Sequence, residues 1–502
     1  MKLSNNIVFK IAFVFVLFFI SCEDFITKTD PTQLTTDKFF QTETQIEQAV
    51  NGAFAQFRGI INDQWQFNEF TTDNATLHFN PENRGSGPTL ESLETWTYIP
   101  TTDNIESLYN SHYEALININ TTLDRMEGAN IDETVARQLE SNLKFLRAYY
   151  YFNLVRYFGE VIIVTEPVES PEEAFEFSRQ PIDDVYALVE SDLEDAVDGA
   201  VELGEEEVGR VTKGAALSLL GKVYLTRKRY SDAINTLEQV TLMNYSILPS
   251  YADVFDPNNK NHAESILDAQ YQGGNDLGLH SSFIYTFAPR LSEGAVIDFP
   301  GQNGGGWNIP TNSIISSYEE GDLRKAVSLK EGYTNLDGDW VPVPFINKYN
   351  WPHEIRGRTD DNWPILRYAD VLLMLAEATN EVSGPTGEAY GYVNEIRSRA
   401  GLDPLMGLNK QSFREAVLHE RRVELAFENH RWFDLKRTMT DEELADFLNA
   451  HGQTQITNPQ TPRDGIGFGP SDYVFQPYQA IFPIPQSETL INSNLTQNPG
   501  YL

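Results

Sequence analysis

Hydrophobic residues recur at helical spacing along most of this chain, and that periodicity constrains the fold more than any other feature. Apolar residues three and four positions apart form one face of a helix. In a strand, side chains point to opposite faces in turn, so every second residue lies on the same face. The pattern predicts a mostly α-helical protein. The helices that it indicates cover about Ile105–Met126, Thr134–Tyr157, Ile182–Val201, Thr212–Lys228, Pro364–Asn380, Glu388–Ala400 and Lys410–Thr438.

One pair of these helices carries a repeat motif. The tetratricopeptide pattern places a small residue where two helices cross closely and aromatic residues between them. That spacing is present in Leu220, Gly221, Tyr224, Tyr230, Ala233 and Leu237. Weaker matches to the tetratricopeptide pattern lie at 145–157, 372–378 and 390–396. We therefore expect a scaffold of stacked helical hairpins.

Two long stretches have no sustained helical period. Residues 62–103 and about 256–363 are rich in Gly, Asn, Thr and Trp. We expect a single compact unit with an N-terminal helical region at 37–255 and a C-terminal region at 256–502, whose first part, 256–363, is loop-rich. Because binding residues concentrate on loops that a rigid scaffold positions, the ligand site is expected there.

The N-terminus has the pattern of an export signal. Lys2 and Lys10 precede a ten-residue apolar run, and Ser21 stands directly before Cys22, the only cysteine. Ten apolar residues span about 15 Å as a helix, too short for a bilayer core of about 30 Å. We predict a lipoprotein signal peptide at 1–21, lipidation of Cys22 and a tether at 22–36. The acidic residues after Cys22 favour exposure at the cell surface.

Charge and composition narrow the ligand class. The formal net charge is −36, which argues against nucleic acid and against polyanionic polymers. A lone cysteine excludes a disulfide-stapled fold. The chain contains no nucleophile elbow, no zinc-protease motif and no phosphate loop. We therefore expect a non-enzymatic protein that needs no cofactor and binds a neutral ligand.

Aromatic and polar residues of the two loop stretches are the candidate ligand contacts. Aromatic rings can cover the flat apolar faces of a neutral ligand, and amides, carboxylates and guanidiniums can meet its hydroxyl groups. The candidates are Trp96, Tyr98, Trp307 and Asn308, the nearby polar residues Asp73, Asn74, His78, Arg84 and Asn303, and the further tryptophans Trp340 and Trp351. Trp65 and Trp363 are expected to be packed inside.

Three conspicuous motifs have simpler structural explanations. Residues 149–152 are four consecutive aromatics and point all round a helix, which favours core packing. The charged run 419–434 fits an amphipathic helix with i, i+3 ion pairs, Arg421–Glu424 and Glu428–Arg431. The segment 335–339 offers oxygens suited to Ca²⁺, but Asp-Gly more commonly forms a turn, so we predict no metal site.

A series of motifs runs along the chain in a fixed order: Cys22-Glu-Asp-Phe25, Phe145-Leu-Arg-Ala-Tyr-Tyr-Tyr-Phe152, Leu366-Arg-Tyr-Ala-Asp-Val-Leu-Leu373, His419-Glu-Arg-Arg-Val-Glu-Leu-Ala-Phe-Glu428, His430-Arg-Trp-Phe-Asp-Leu435 and Phe482-Pro-Ile-Pro485. With these motifs the chain resembles, almost from end to end, the SusD/RagB family of outer-membrane glycan-binding lipoproteins.

The resemblance implies a tetratricopeptide-containing helical scaffold and a SusC-like TonB-dependent barrel as partner. It also implies glycan capture at the outer membrane, for which the acidity of the chain favours a neutral glycan such as a β-glucan. Two alternatives stay open: a RagB-like protein that captures peptides, and a lipid-anchored glycoside hydrolase.

Overall fold

The computed structural model describes residues 39–80, 87–168, 170–205, 207–460, 468–469 and 471–501. The predicted signal peptide, the tether, Cys22 and Arg84 lie outside these ranges. Helices account for about half of the chain and the strands are few and short, so the prediction of a mostly α-helical fold is confirmed. In the described part of the chain, every helix is too short or too polar to cross a membrane.

The N-terminal region is built from long helices. Its helices are α1 Glu43–Asp63, α2 Trp65–Asn68, α3 Gly87–Glu94, α4 Asp103–Met126, α5 Glu133–Phe158, α6 Pro171–Ala174, α7 Ile182–Gly199, α8 Lys213–Thr226 and α9 Tyr230–Thr241. The C-terminal helices are α10 Phe283–Phe287, α11 Asn312–Ile315, α12 Lys325–Ser328, α13 Tyr368–Ser383, α14 Gly387–Arg399, α15 Lys410–Glu424, α16 Arg431–Thr438, α17 Asp441–Thr457 and α18 Gln486–Ile491. Within the described residues, 3₁₀ turns cover Ala252–Val254 and Pro477–Ala480.

Successive long helices pack as neighbours. Helix α4 contacts α5, α5 contacts α7, α7 contacts α8 and α8 contacts α9; the series then continues from α9 to α13, which contacts α14 and α15. The α8–α9 pair is the predicted tetratricopeptide hairpin. A Cβ on Gly221 would lie 2.4 Å from Leu237 Cγ and Cδ2, so only glycine permits this close crossing.

The loop-rich region is inserted between α9 and α13 and contains most of the strands. In the part of the chain that the structure describes, the strands are β1 Ala75–Thr76, β2 Val161–Ile162, β3 Arg179–Gln180, β4 Ser265–Ala269, β5 Ile309–Pro310, β6 Leu329–Lys330, β7 Tyr333–Thr334, β8 Trp340–Val341, β9 Phe345–Ile346 and β10 Trp363–Arg367. They form five antiparallel pairs: β1–β5, β2–β3, β4–β10, β6–β9 and β7–β8.

Two hydrophobic cores support the molecule. The larger core contains residues of both predicted regions, including Leu143, Val223 and Leu373, and it buries the aromatic run 149–152. The smaller core lies in the loop-rich region around Ile284, with Tyr285 and Phe299 packed at its edge. The smaller core supports Tyr285 and Phe299, whereas Trp307 packs against the larger core.

Two predicted helix boundaries are wrong. Residues 363–367 form strand β10, paired with β4, so helix α13 begins at Tyr368 instead of Pro364. The run 410–438 is broken between α15 and α16, where Phe427 and Asn429 have φ of 63° and 70°. Left-handed residues end a helix, and here they turn the chain into the core.

Candidate functional site

Strand pairing joins the two predicted loop stretches. Ala75 pairs with Pro310 and Thr76 with Ile309. The ladder continues outward through His78, whose backbone N–H donates to the Gly306 carbonyl at 2.7 Å. Residues 73–78 and 306–310 are thereby neighbours, although they lie in distant parts of the sequence.

At the inner end of this pair of strands, the polar side chains are buried and bonded to other parts of the protein. Asp73 is 2% exposed and pairs with Arg422 at 2.7 Å and Arg431 at 2.9 Å. Burial raises the pKa of Asp73, but the two guanidiniums outweigh it and hold that pKa well below its usual range. Asn74 is also buried and accepts from Arg422 Nε at 2.9 Å. Both were expected at the ligand; the structure corrects this, because their polar atoms are already bonded inside the protein.

Asn308 turns the chain between the ladder and the surface. Its side chain is fully buried, and its φ of 55° is left-handed, a conformation that asparagine tolerates better than most residues. The Asn308 amide therefore offers no exposed surface to a ligand that binds at the outside of the protein. We therefore assign Asn308 to the backbone turn that precedes β5 and remove it from the ligand contacts.

Trp307 stands at the outer end of the ladder and is half-buried. One side of the indole meets Phe70 edge-on at 6.3 Å, and its backbone N–H donates to the Thr286 carbonyl at 3.1 Å. A Cβ on Gly305 would lie 2.7 Å from Trp307 Cδ1, so glycine gives the ring room. The indole N–H has no acceptor within the described part of the chain and is free to donate to a ligand.

Three further rings lie on segments near the one that carries Trp307: Tyr285 in α10, Phe299 in the loop after it and His353 in the segment after β9. Gly305 N–H donates to the Tyr285 carbonyl at 2.8 Å. The Tyr285 hydroxyl and His353 Nε2 are 2.7 Å apart, and Phe299 packs on His353 with ring centroids 5.1 Å apart. His353 Nδ1 lies 3.0 Å from the Trp351 carbonyl. Because that carbonyl can only accept, Nδ1 carries the proton and Nε2 accepts from Tyr285. We call Tyr285, Phe299, Trp307 and His353 the aromatic face.

Sequence reasoning missed three members of the aromatic face. Tyr285, Phe299 and His353 lie in the predicted loop-rich stretch, but within that stretch only tryptophans were taken as candidate ligand-binding rings. The available signal was the density of all aromatic residues in that stretch. Their grouping depends on the smaller core and on the 305–285 backbone hydrogen bond, neither of which is visible in the sequence.

Trp96 and Tyr98 belong to the core, which corrects their assignment to the ligand site. Trp96 is 2% exposed, donates its indole N–H to the Thr71 carbonyl at 3.0 Å and is flanked edge-on by Tyr473 and Phe475. The Tyr98 hydroxyl donates to the Gln479 carbonyl at 2.9 Å. The C-terminal segment covers both rings, and a covered ring has no face for a sugar.

The remaining two tryptophans occupy separate positions. Trp340 is 60% exposed on the outer side of the β7–β8 hairpin. Trp351 is half-buried and donates its indole N–H to the Lys348 carbonyl at 2.9 Å.

Between β7 and β8, Asn335 Oδ1 accepts from the backbone N–H of Asp337 and Asp339. That segment is therefore a hairpin turn, as predicted.

The charged run 419–434 forms a buried ionic network, and the predicted i, i+3 pairs are wrong. Arg421 binds Asp370 and Asp434, not Glu424. Glu424 instead binds three guanidiniums, and Glu428 binds a lysine and an arginine. These partners are Arg324, Arg367 and Arg399 for Glu424, and Lys348 and Arg367 for Glu428. The network ties α15 to the loop-rich region and has a structural role.

The groups on the aromatic face are suited to holding a ligand. The aromatic face combines half-buried rings with one free indole N–H, which suits the C–H faces and hydroxyls of a sugar. Within the described residues, histidine and acidic side chains form no cluster able to hold a metal ion.

Comparison with known proteins gives consistent matches. Residues 303–501 match the family described as the SusD family, and residues 24–225 match the family described as starch-binding and associating with the outer membrane. SusD-like protein P25 of Formosa agariphila is 28% identical over 552 aligned positions, covering 100% of both chains. SusD-like protein P2 of the same organism is 26% identical, covering 98% of this chain and 99% of its own.

Solved structures share the fold. A SusD superfamily protein from Parabacteroides distasonis is 26% identical with a TM-score of 0.77, covering 93% of this chain and 100% of its own. A laminarin-binding SusD-like protein is 24% identical with a TM-score of 0.74, covering 92% of this chain and 100% of its own. From the two family matches, the full-length relatives and the shared fold, we conclude that the chain belongs to the SusD-like family.

Proposed function

We propose that the protein is a non-catalytic receptor that captures a neutral oligosaccharide or polysaccharide on the aromatic face. The observation that carries the proposal is the β1–β5 pairing, which sets Trp307 at the outer end of a buried ladder with its indole N–H unpaired in the described part of the chain. A fixed ring with a free donor binds a sugar at little cost in conformational entropy.

Three further lines support this proposal. Proteins of the SusD-like family are generally non-enzymatic binding proteins. A structural neighbour binds laminarin, a neutral glycan. The net charge of −36 disfavours polyanionic polymers. We therefore favour a neutral ligand such as a β-glucan.

We further propose that Cys22 is lipidated and holds the protein on the outer face of the outer membrane, where it delivers glycan to a SusC-like TonB-dependent transporter. The description of the family matched by residues 24–225 supports association with the outer membrane. Radiolabelled palmitate incorporation tests the anchor: the wild-type chain incorporates label and Cys22→Ala does not. Co-purification of a barrel with the lipidated chain from solubilised outer membranes tests the partner.

Affinity electrophoresis tests the ligand class. The chain that begins after Cys22 is run through native gels cast with laminarin, xylan, starch, alginate or no polymer. We expect retardation in a neutral-glycan gel and free migration in alginate, a polyanion. Trp307→Ala should lose the retardation.

The matched control for Trp307 is Phe175→Ala, which removes an exposed ring outside the aromatic face. Its mobility should equal that of the wild type in every gel. Retardation by alginate alone contradicts the neutral-ligand proposal. Release of reducing ends from any polymer contradicts the non-catalytic proposal, and free migration in every gel favours the peptide-binding alternative.

A further inference from the structure

A cavity that is partly open to solvent lies within the helical scaffold, apart from the aromatic face. It is lined by residues of α5, α8, α13, β10 and 428–437, and its volume is about 60 Å³. One water needs roughly 10–15 Å³ of such volume. The space therefore fits about four water-sized atoms or groups, which is also the size of a small tetrahedral ion.

Arg156 lines this cavity without a counter-ion. Its guanidinium lies between the rings of Phe152 and Phe433, 3.6 and 3.5 Å from their centroids. It donates to the Phe152 carbonyl and to Asn153 Oδ1. No carboxylate of the described residues lies within 4.0 Å of it. Burial lowers the pKa of Arg156 to about 10, so it is charged at neutral pH.

The other charged groups on the wall do not neutralise Arg156. Three cations are matched by three carboxylates in one chain of ion pairs: Lys222 and Arg421 with Asp370, Arg421 and Arg437 with Asp434, and Arg437 with Glu377. Glu428 is already bound by Arg367 and Lys348. Burial lowers the pKa of His430 to about 3, so it is neutral. An excess of one positive charge remains, in a chain whose net charge is −36.

Unused hydrogen-bond donors also face the cavity. Gln64 is 2% exposed and Asn153 is 1% exposed, and neither Gln64 Nε2 nor Asn153 Nδ2 has an acceptor in the described part of the chain. Gln64 Oε1 accepts from the Tyr149 hydroxyl, and Asn153 Oδ1 accepts from Arg156. These bonds fix both amides with their NH₂ groups unused. Asn429 adds a third amide with no partner among the described residues.

We propose that this cavity binds one small tetrahedral oxyanion of the sulfate or phosphate class. The anion would neutralise Arg156 and accept hydrogen bonds from the amides of Gln64, Asn153 and Asn429. Water alone would satisfy the amides but would leave the half-buried Arg156 guanidinium without a counter-ion. The bound anion would fasten helix α5 to the segment 428–437.

Thermal unfolding in sodium sulfate, compared with sodium chloride at equal ionic strength, tests the site. We expect a saturable rise in Tm of about 1–2 °C for the wild type. Sulfate also stabilises proteins non-specifically, so Arg156→Met is measured beside Arg125→Met, which removes a half-exposed surface arginine. The saturable rise should persist in Arg125→Met and be absent in Arg156→Met. Sodium phosphate, run as a separate series, shows which oxyanion is preferred.

Crystals of the wild-type protein grown with sodium selenate give a second readout, which does not depend on the folding of a variant. We expect an anomalous selenium peak in the cavity, within hydrogen-bond distance of Arg156. Density that fits water alone overturns the proposal. An identical response to sulfate in the wild type and Arg156→Met also overturns it.

Discussion

At the scale of single residues, Gly221 shows how one missing side chain fixes a helix crossing. Because a Cβ there would lie 2.4 Å from two Leu237 carbons, Gly221→Ala should lower the free energy of unfolding by about 1–3 kcal/mol. A Cβ added at Gly52 in α1 would meet no atom within 4 Å, so Gly52→Ala should raise it by about 0.5–1 kcal/mol. Urea unfolding measures both; effects of the same sign would contradict the packing explanation.

Asp361 gives a prediction about pH. Burial, opposed by a hydrogen bond to Thr359, raises the pKa of Asp361 to about 7. An unfolded aspartate has a pKa near 3.9, so the folded state holds the extra proton between about pH 4 and 7, and stability falls as pH rises through that window. Asp361→Asn should therefore gain up to about 4 kcal/mol relative to the wild type between pH 4 and 8.

Urea unfolding at pH 4, 6 and 8 measures that gain. Asp337→Asn, which changes an exposed carboxyl in the β7–β8 turn, is the control for the general effect of removing one carboxylate. A difference between Asp361→Asn and the wild type that does not change with pH would contradict the assignment.

At the scale of elements, the β1–β5 pair positions the aromatic face. Asn308, with φ of 55°, sets the turn into β5. Asn308→Val should cost about 1–2 kcal/mol of stability, because a branched residue resists the left-handed conformation. It should also weaken glycan binding by displacing Trp307. Asn308→Gly should retain binding. Equal affinity of both variants in calorimetric titrations would contradict a positioning role.

Element boundaries also show what the sequence can predict. The long helices and the Gly221 crossing follow from local periodicity. The break after α15 depends on Glu424 and Glu428 meeting distant arginines, which no local pattern reveals. Helix α17 was missed, although Thr440 and Glu443 form a capping box that is a recognisable start signal.

At the scale of the whole molecule, the buried ionic network predicts loss of stability in acid. Burial raises the pKa values of Asp370, Glu424 and Asp434, but neighbouring cations outweigh it and hold them well below their usual range. Each carboxylate therefore stabilises the fold above an unfolded pKa near 4. Below that pH, stability should fall by about 1.4 kcal/mol per pH unit for each one. Urea unfolding between pH 5 and 3 measures the slope, and a flat profile would contradict it.

The ligand site was only partly predictable at this scale. Loop composition indicated both stretches that the β1–β5 pair brings together, and Trp307 lies where they meet. Trp96 has the same local signature, a tryptophan in a polar loop, yet the C-terminal segment buries it. That cover comes from residues 473–482, at the far end of the chain, so no local reading of the sequence could separate the two tryptophans.

The most direct test of glycan capture on the aromatic face is a calorimetric titration of three proteins with oligosaccharides of the glycan that retards the wild type. Trp307→Ala should lose about tenfold or more in affinity while remaining folded. Trp96→Phe should lower the Tm and keep the wild-type affinity, because that ring packs in the core. Unchanged affinity in Trp307→Ala, together with loss of binding in Trp96→Phe, would contradict the proposed site.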